Sequence, residues 1–426
     1  MGIKRISGGA LAALLAGLVM LGPFSVDTYL PAFPQIQASL HASELQVQQT
    51  LPAFLFSFAF MMLWHGALSD TFGRRKVILA GLLVFLFATL GCALAPNIET
   101  LWACRVLQGL SSGAGAVLGN AIIRDWYEDA TAARLLALVS MIFAIGPGIA
   151  PIIGGWIVKL LDWRWIFYFV FAYTLVLFLF CYFFLAESLP ASARKEFHPL
   201  VLFQSYREIL TNVPFLLKAG TLALNFSGMF LYVAAAPVFI TRILHLGPEH
   251  FSWQFIPMVS GIFLGSWLVN RLAGKWPIPR QISAGFLCAL GAGIFNLGYH
   301  SLFAPALPWS VLPIFLYAFG ISMITPGVML LLLELVPTLR GTLASCQAFS
   351  LTMLASITAG AVAPLLAVDI RLLAAGQLTF GMLGLLCWRL ARRSHNATSG
   401  GAGGSGGQNG ESNNESTNKS RNGLPT

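Results

Sequence analysis

Two ionisable side chains stand inside apolar sequence, where a charge is costly and usually faces a cavity or a partner. Asp27 lies in the outer third of the first apolar run, flanked by Ser25, Val26, Thr28 and Tyr29. Desolvation disfavours the charged form of a carboxyl group, so a residue of this kind can take up and release a proton near neutral pH. Read instead as the solvated end of a helix, the same acid carries no chemistry, and the local residues leave both readings open. Arg105 sits about five residues into the fourth run, ~8 Å deep at the helical rise, a depth similar to that of Asp27. An arginine keeps its charge there and needs a partner; it either couples to the acid or ties helices together. Glu334, close to Pro337 and Arg340, reads as a boundary residue at the end of its run.

Between the second and third apolar runs the chain reads Gly66-Ala67-Leu68-Ser69-Asp70-Thr71-Phe72-Gly73-Arg74-Arg75-Lys76. An acid, two turn-permitting glycines and three consecutive cations share a loop too short to be a domain. Such a loop forces two helices into a tight hairpin and fixes charges where helix ends meet. The fifth run carries Gly146, Pro147, Gly148, Pro151, Gly154 and Gly155. Its prolines remove backbone hydrogen bonds, and its glycines allow bending and close helix approach.

These residues need elements to hold them, and composition says which. Of 426 residues, 57% are hydrophobic and only 10% charged, with a mean hydropathy of +0.76. A soluble protein could not cover itself with so little polar surface. Apolar windows long enough to cross a bilayer recur near 8–30, 47–68, 77–95, 100–123, 134–158, 164–186, 215–241, 251–270, 279–303, 309–334, 342–366 and 370–391. The expectation is an all-α integral membrane protein with twelve transmembrane helices. With both termini cytoplasmic, eighteen lysines and arginines fall inside, against Lys159, Arg164, Arg242 and Arg371 outside, which is the positive-inside asymmetry. The net charge of +9 is thus a topology signal, and nothing gathers into a nucleic-acid surface. Lys4 and Arg5 precede a run that leads into Tyr29-Leu30-Pro31 rather than a small-residue cleavage site, so the first span is expected to be retained.

No metal spacing, nucleophile constellation or phosphate loop supports an enzyme. The six cysteines are scattered singly through apolar segments, and His245 and His250 lack further ligands. The polar stretch 187–214 divides the chain into a six-span unit (1–186) and a second (215–391), followed by a Gly/Ser/Asn tail (392–426) with no means of burying a core. Arg271-Leu272-Ala273-Gly274-Lys275 falls where a degenerate copy of the 66–76 loop would sit in the second unit, without its acid. Sequons at Asn396 and Asn414 lie in the cytoplasmic tail and read as chance.

The loop matches the G-x-L-x-D-x-x-G-R-[RK] motif of the major facilitator superfamily, and Arg105-Val106-Leu107-Gln108-Gly109 matches its R-x-x-Q-G motif of span four. Asp27-Thr28-Tyr29-Leu30-Pro31-Ala32-Phe33-Pro34, Ile123-Arg124-Asp125-Trp126-Tyr127 and Gly341-Thr342-Leu343-Ala344-Ser345 resemble signatures of its bicyclomycin and chloramphenicol resistance (Bcr/CflA) branch. The fifth run resembles the G-P-x-x-G-G motif of antiporters, with Ala150-Pro151 as a departure. The resemblance covers residues 1–391 and is looser in the second half.

It implies two pseudo-symmetric six-helix bundles with a substrate site between them. It also implies a monomer in a bacterial inner membrane, driven by the proton gradient without a cofactor or metal. In relatives, the arginine corresponding to Arg105 is linked to proton coupling, and Asp27 would carry the proton. Asp70 would sit below the start of span eleven, near Thr342 and Leu343, and Arg74 or Arg75 would pair with Asp125, latching the inner face. Candidate cavity residues are Tyr29, Phe58, Asn120, Met141, Asn225, Tyr232, Tyr317 and Gln347, drawn from aromatic, methionine and amide side chains. The function implied is export of small amphipathic antibiotics. A proton-coupled carrier of an amino acid or sugar, and a transporter-like receptor without turnover, are the rivals.

Overall fold

A computed structural model describes residues 8–336 and 339–401. Among the described residues all regular elements are helices, twelve of them long and apolar enough to cross a membrane. Spans 1 to 6 are Gly8–Ser39, Glu44–Phe72, Arg74–Ala93, Ile98–Trp126, Asp129–Leu160 and Arg164–Phe184. Spans 7 to 12 are Val213–Ala234, Pro248–Leu272, Ile278–Leu302, Leu312–Leu333, Arg340–Leu366 and Ile370–Arg393. A shorter linker helix, Pro199–Thr211, lies between spans 6 and 7.

Several helices outrun the apolar windows, because caps rather than hydropathy decide where a helix starts. Ser43 and Gln46 form a reciprocal capping box at the start of span 2. Asn97 accepts the Thr100 amide at 2.9 Å and opens span 4, and Asn212 accepts that of Phe215 at 3.0 Å and opens span 7. Span 1 is not one uniform helix. Its α-helix ends at Val26, a 3-10 turn covers Leu30–Ala32 with Pro31 inside it, and the helix resumes at Phe33–Ser39. The last helix continues to Gly401, past the expected boundary at 391. The rest of the expected tail, 402–426, lies outside the described residues.

Spans 1–6 pack mainly on one another, as do spans 7–12; spans 2 and 11, and spans 5 and 8, carry the contact between the two sets. The end that holds the 66–76 loop and the linker is called here the basic end, and the opposite one the far end. One apolar core runs from Leu11 to Leu373 and draws on both sets. A second, smaller core joins the linker helix to spans 7, 9, 10, 11 and 12 at the basic end.

The polar bonds between the two sets lie from mid-membrane to the far end. Arg242 pairs with Glu44 at 2.7 Å and Lys159 with Glu249 at 3.0 Å. The Gln49 side-chain amide donates to the Gly360 carbonyl at 2.7 Å, and the Ser356 hydroxyl to the Pro52 carbonyl at 3.0 Å. Thr352 reaches the Met62 sulfur at 3.7 Å. The molecule is closed at its far end.

Candidate functional site

Asp27 occupies the break in span 1, between the α-helix and the 3-10 turn, where its amide still bonds to the Pro23 carbonyl at 2.7 Å. Its side chain is buried, with 5% of its surface exposed, and among the described residues its carboxylate has no ion pair or hydrogen bond. Arg105 is fully buried and does not pair with Asp27. Its guanidinium donates to the Ser25 carbonyl at 2.9 Å and to the Gln108 amide oxygen at 3.0 Å. It lies against the rings of Tyr29, at 4.8 Å, and Phe54, at 4.6 Å. The expected partnership is therefore indirect. The last turn of the first helix, just before the break, offers Arg105 a backbone carbonyl two residues before the acid, and the rings of Tyr29 and Phe54 lie against the guanidinium. Gln108 passes the contact on to Thr89 at 2.8 Å, while Tyr29 meets the Thr50 hydroxyl at 3.0 Å.

The glycines and prolines of span 5 have two faces. A side chain at Gly146 would strike Met20 and Pro23, and one at Gly154 would strike the Thr28 backbone next to Asp27. A side chain at Gly148 would touch Val259, and one at Gly155 would collide with the Pro248 carbonyl of span 8. Span 5, which contains Pro147 and Pro151, is thus wedged between the acid-bearing span 1 and the other half of the molecule. Only residues without a β-carbon permit that approach.

At the basic end, Gly73 has φ of 99°, a conformation that glycine adopts freely, and it turns span 2 directly into span 3. Arg74 pairs with Asp70 at 2.5 Å, donates to Ser69 and reaches Asp125 of span 4 at 3.4 Å. Asp125 also accepts from Ser188 at 2.7 Å. The Arg74 amide is capped by Glu187 at 2.8 Å; a carboxylate at a helix N-terminus is favourable, and a side chain at Gly73 would displace it. Arg75 donates to the Tyr182 carbonyl at 2.6 Å. Gly66 faces open space. All of these partners lie in the first set of spans or just after it. Among the described residues Asp70 makes no hydrogen bond or ion pair to the start of span 11, which differs from the expected contact near Thr342 and Leu343. The reason is geometric: the two sets meet at the far end.

The eight candidate cavity residues divide. Tyr29, Tyr232 and Tyr317 are fully buried and Asn225 nearly so. In this structure they are packed within one set of spans. The Tyr317 hydroxyl approaches the Asn225 backbone carbonyl at 3.5 Å, and the Asn225 amide nitrogen bonds back to the Thr221 carbonyl at 2.7 Å, while among the described residues the Asn225 side-chain oxygen has no partner. Gln347 is buried at 9% exposure. Phe58 is half-buried and stacks on Phe54 at 5.9 Å. Asn120 and Met141 are exposed. Two hollows lie at the far end, one of 420 Å³ beside Gln35, Glu44 and Arg242 and one of 700 Å³ beside Gln49, Arg242 and Gly360.

The second set also holds a buried amide cluster that the pattern of charges does not reveal. Asn296 donates to the Tyr232 hydroxyl at 2.7 Å and to Gln377 at 2.9 Å, while Gln254 donates to the Tyr232 carbonyl at 2.7 Å. The signal was present: each is a lone amide in an apolar run, which lipid or a dry core tolerates only when paired. Glu187, Ser188, Glu44 and Glu249 were missed because their partners lie far away in sequence.

A broken first span with a buried acid, an arginine on span 4 and a charged hairpin between spans 2 and 3 form a family pattern. The family model described as Major Facilitator Superfamily matches residues 15–364. The chain belongs to that superfamily. It is 32% identical to the uncharacterized MFS-type transporter YdgK of Bacillus subtilis, over 84% of this chain and 89% of that one. It is 29% identical to multidrug resistance protein D of Escherichia coli over 80% and 85%, and 27% identical to a bicyclomycin resistance protein homolog of Haemophilus influenzae over 66% and 73%. A bacterial homolog of the human lysosomal transporter Spinster, inward-facing and unoccupied, shares the fold with a TM-score of 0.66 at 18% identity, over 91% of this chain and 97% of that one. The human organic anion transporter MFSD10 does so at 0.65 and 16%, over 91% and 100%. This superfamily member is a multi-pass membrane protein with twelve helical spans.

Proposed function

We propose that the chain exports small amphipathic antibiotics across a bacterial inner membrane in exchange for protons, working as a monomer with both termini in the cytoplasm. The observation that carries this reading is Asp27, a buried carboxylate at the break of span 1 that has no partner among the described residues. The names of relatives that span most of the chain, multidrug resistance protein D among them, supply the class of cargo.

In this reading the basic end is cytoplasmic and the structure is the state closed toward the outside. Protonation decides whether Asp27 tolerates that closed, dry setting; loss of the proton leaves an uncompensated charge and favours a state that admits water. Arg105 holds the Ser25 carbonyl and so fixes the register of the stretch that carries Asp27. Gly154 and Gly155 pass a shift of span 1 across span 5 to span 8. The Asp70–Arg74–Asp125 group, capped by Glu187, is the inner latch, and Asp70 would meet span 11 when the inner ends close.

The test is uphill drug uptake into inside-out vesicles with an imposed proton gradient, acidic in the lumen. Wild type should accumulate drug and lose it on addition of an uncoupler. Asp27→Asn should insert normally and fail to concentrate drug; uphill pumping by that variant would remove Asp27 from the mechanism.

A further inference from the structure

The linker helix, Pro199–Thr211, has three faces rather than two. Tyr206 and Ile209 are buried against Phe215, Leu343 and Cys346, in the first turns of spans 7 and 11, and the Tyr206 hydroxyl bonds the Leu63 carbonyl of span 2. Leu63 lies toward the basic end of the apolar window 47–68 of span 2. The helix therefore packs against the basic ends of the spans, close to the membrane boundary, and not out in the solvent. Its second face carries exposed Gln204 and Glu208, with one apolar residue, Val201, 59% exposed, a turn before them. Its third carries Leu200, 77% exposed, and Phe203, 64% exposed, one turn apart on the same side, with exposed Arg207 one turn further on. The apolar side chains continue into Val213 and Leu216 at the start of span 7, 58% and 45% exposed.

We propose that this third face is a lipid-docking surface. Leu200 and Phe203 enter the acyl boundary of the leaflet at the basic end, and Arg207 lays its stem over them and extends its guanidinium to the lipid phosphates. Lys195 and Arg340, both exposed nearby, add to the positive rim. The occupant is lipid because the helix is tethered at both ends to spans, sits at their boundary level and continues their apolar surface. The polar second face then points to water.

The experiment places the photoreactive residue p-benzoylphenylalanine singly at Leu200, Phe203 or Gln204. The full-length protein is reconstituted in vesicles of phosphatidylethanolamine and phosphatidylglycerol, irradiated and weighed. Phospholipid adducts at positions 200 and 203, with little or none at 204, are expected. Equal adduct yields at 203 and 204 would overturn the proposal. So would crosslinks from 203 to protein, whether another segment of this chain or a second copy.

Discussion

The two halves of the molecule handle buried polarity in opposite ways. In the first, an ionisable pair is kept apart: Asp27 stands without a partner among the described residues, and Arg105 is held by a carbonyl, an amide and two rings. In the second, the corresponding interior is neutral, with Tyr232, Asn296, Gln254 and Gln377 joined by hydrogen bonds. A neutral amide network can fix a bundle but carries no proton in or out. A carboxylate that is free to change its charge can bias two states of the whole molecule. In the proposed mechanism the work of coupling therefore falls to the first half, and the second contributes a neutral, hydrogen-bonded packing surface.

Four substitutions would break or sharpen this contrast. The largest effect belongs to Asp27→Asn, which should abolish proton-coupled transport while its unfolding temperature stays close to that of wild type. Next is Arg105→Gln, which removes the bond to Ser25 and should cost about 2 kcal/mol in unfolding measurements, together with most of the transport rate. Normal transport by this variant would deny Arg105 its positioning role. Asn296→Leu leaves the Tyr232 hydroxyl and the Gln377 oxygen without their donor, for a stability loss of about 1–3 kcal/mol. The ratio of drug moved to protons moved should be unchanged, and a changed ratio would place coupling in both halves. The smallest effect is that of Glu44→Gln, which loosens an exposed far-end pair worth about 0.2–1 kcal/mol. It should raise the far-end-open population by no more than a few-fold, as read by distance measurements across spans 2 and 11.

Much of the fold was legible because lipid imposes simple rules: twelve apolar windows correspond to twelve helices. Gly73 and Arg74 were legible as a tight charged turn, and Asp125 as the partner of Arg74 or Arg75 through the family resemblance; the structure pairs it with Arg74. The break in span 1 was hinted at by Pro31 and Pro34, yet its consequence for Arg105 was not, because a backbone carbonyl leaves no trace in the residue type. The aromatic residues misled for the opposite reason. Tyr29, Tyr232 and Tyr317 have the chemistry of a drug cavity and of a bundle core alike, and only packing tells which. Glu187 was hidden by distance in sequence, since it folds back 113 positions to cap Arg74.

The central claim is that Asp27 exchanges its proton for substrate. Purified protein in a weakly buffered solution, mixed with a transported drug, should release protons into the medium, as followed by a pH indicator. The account predicts release from wild type and none from Asp27→Asn at drug concentrations that still saturate its binding. Equal release from both proteins would contradict it.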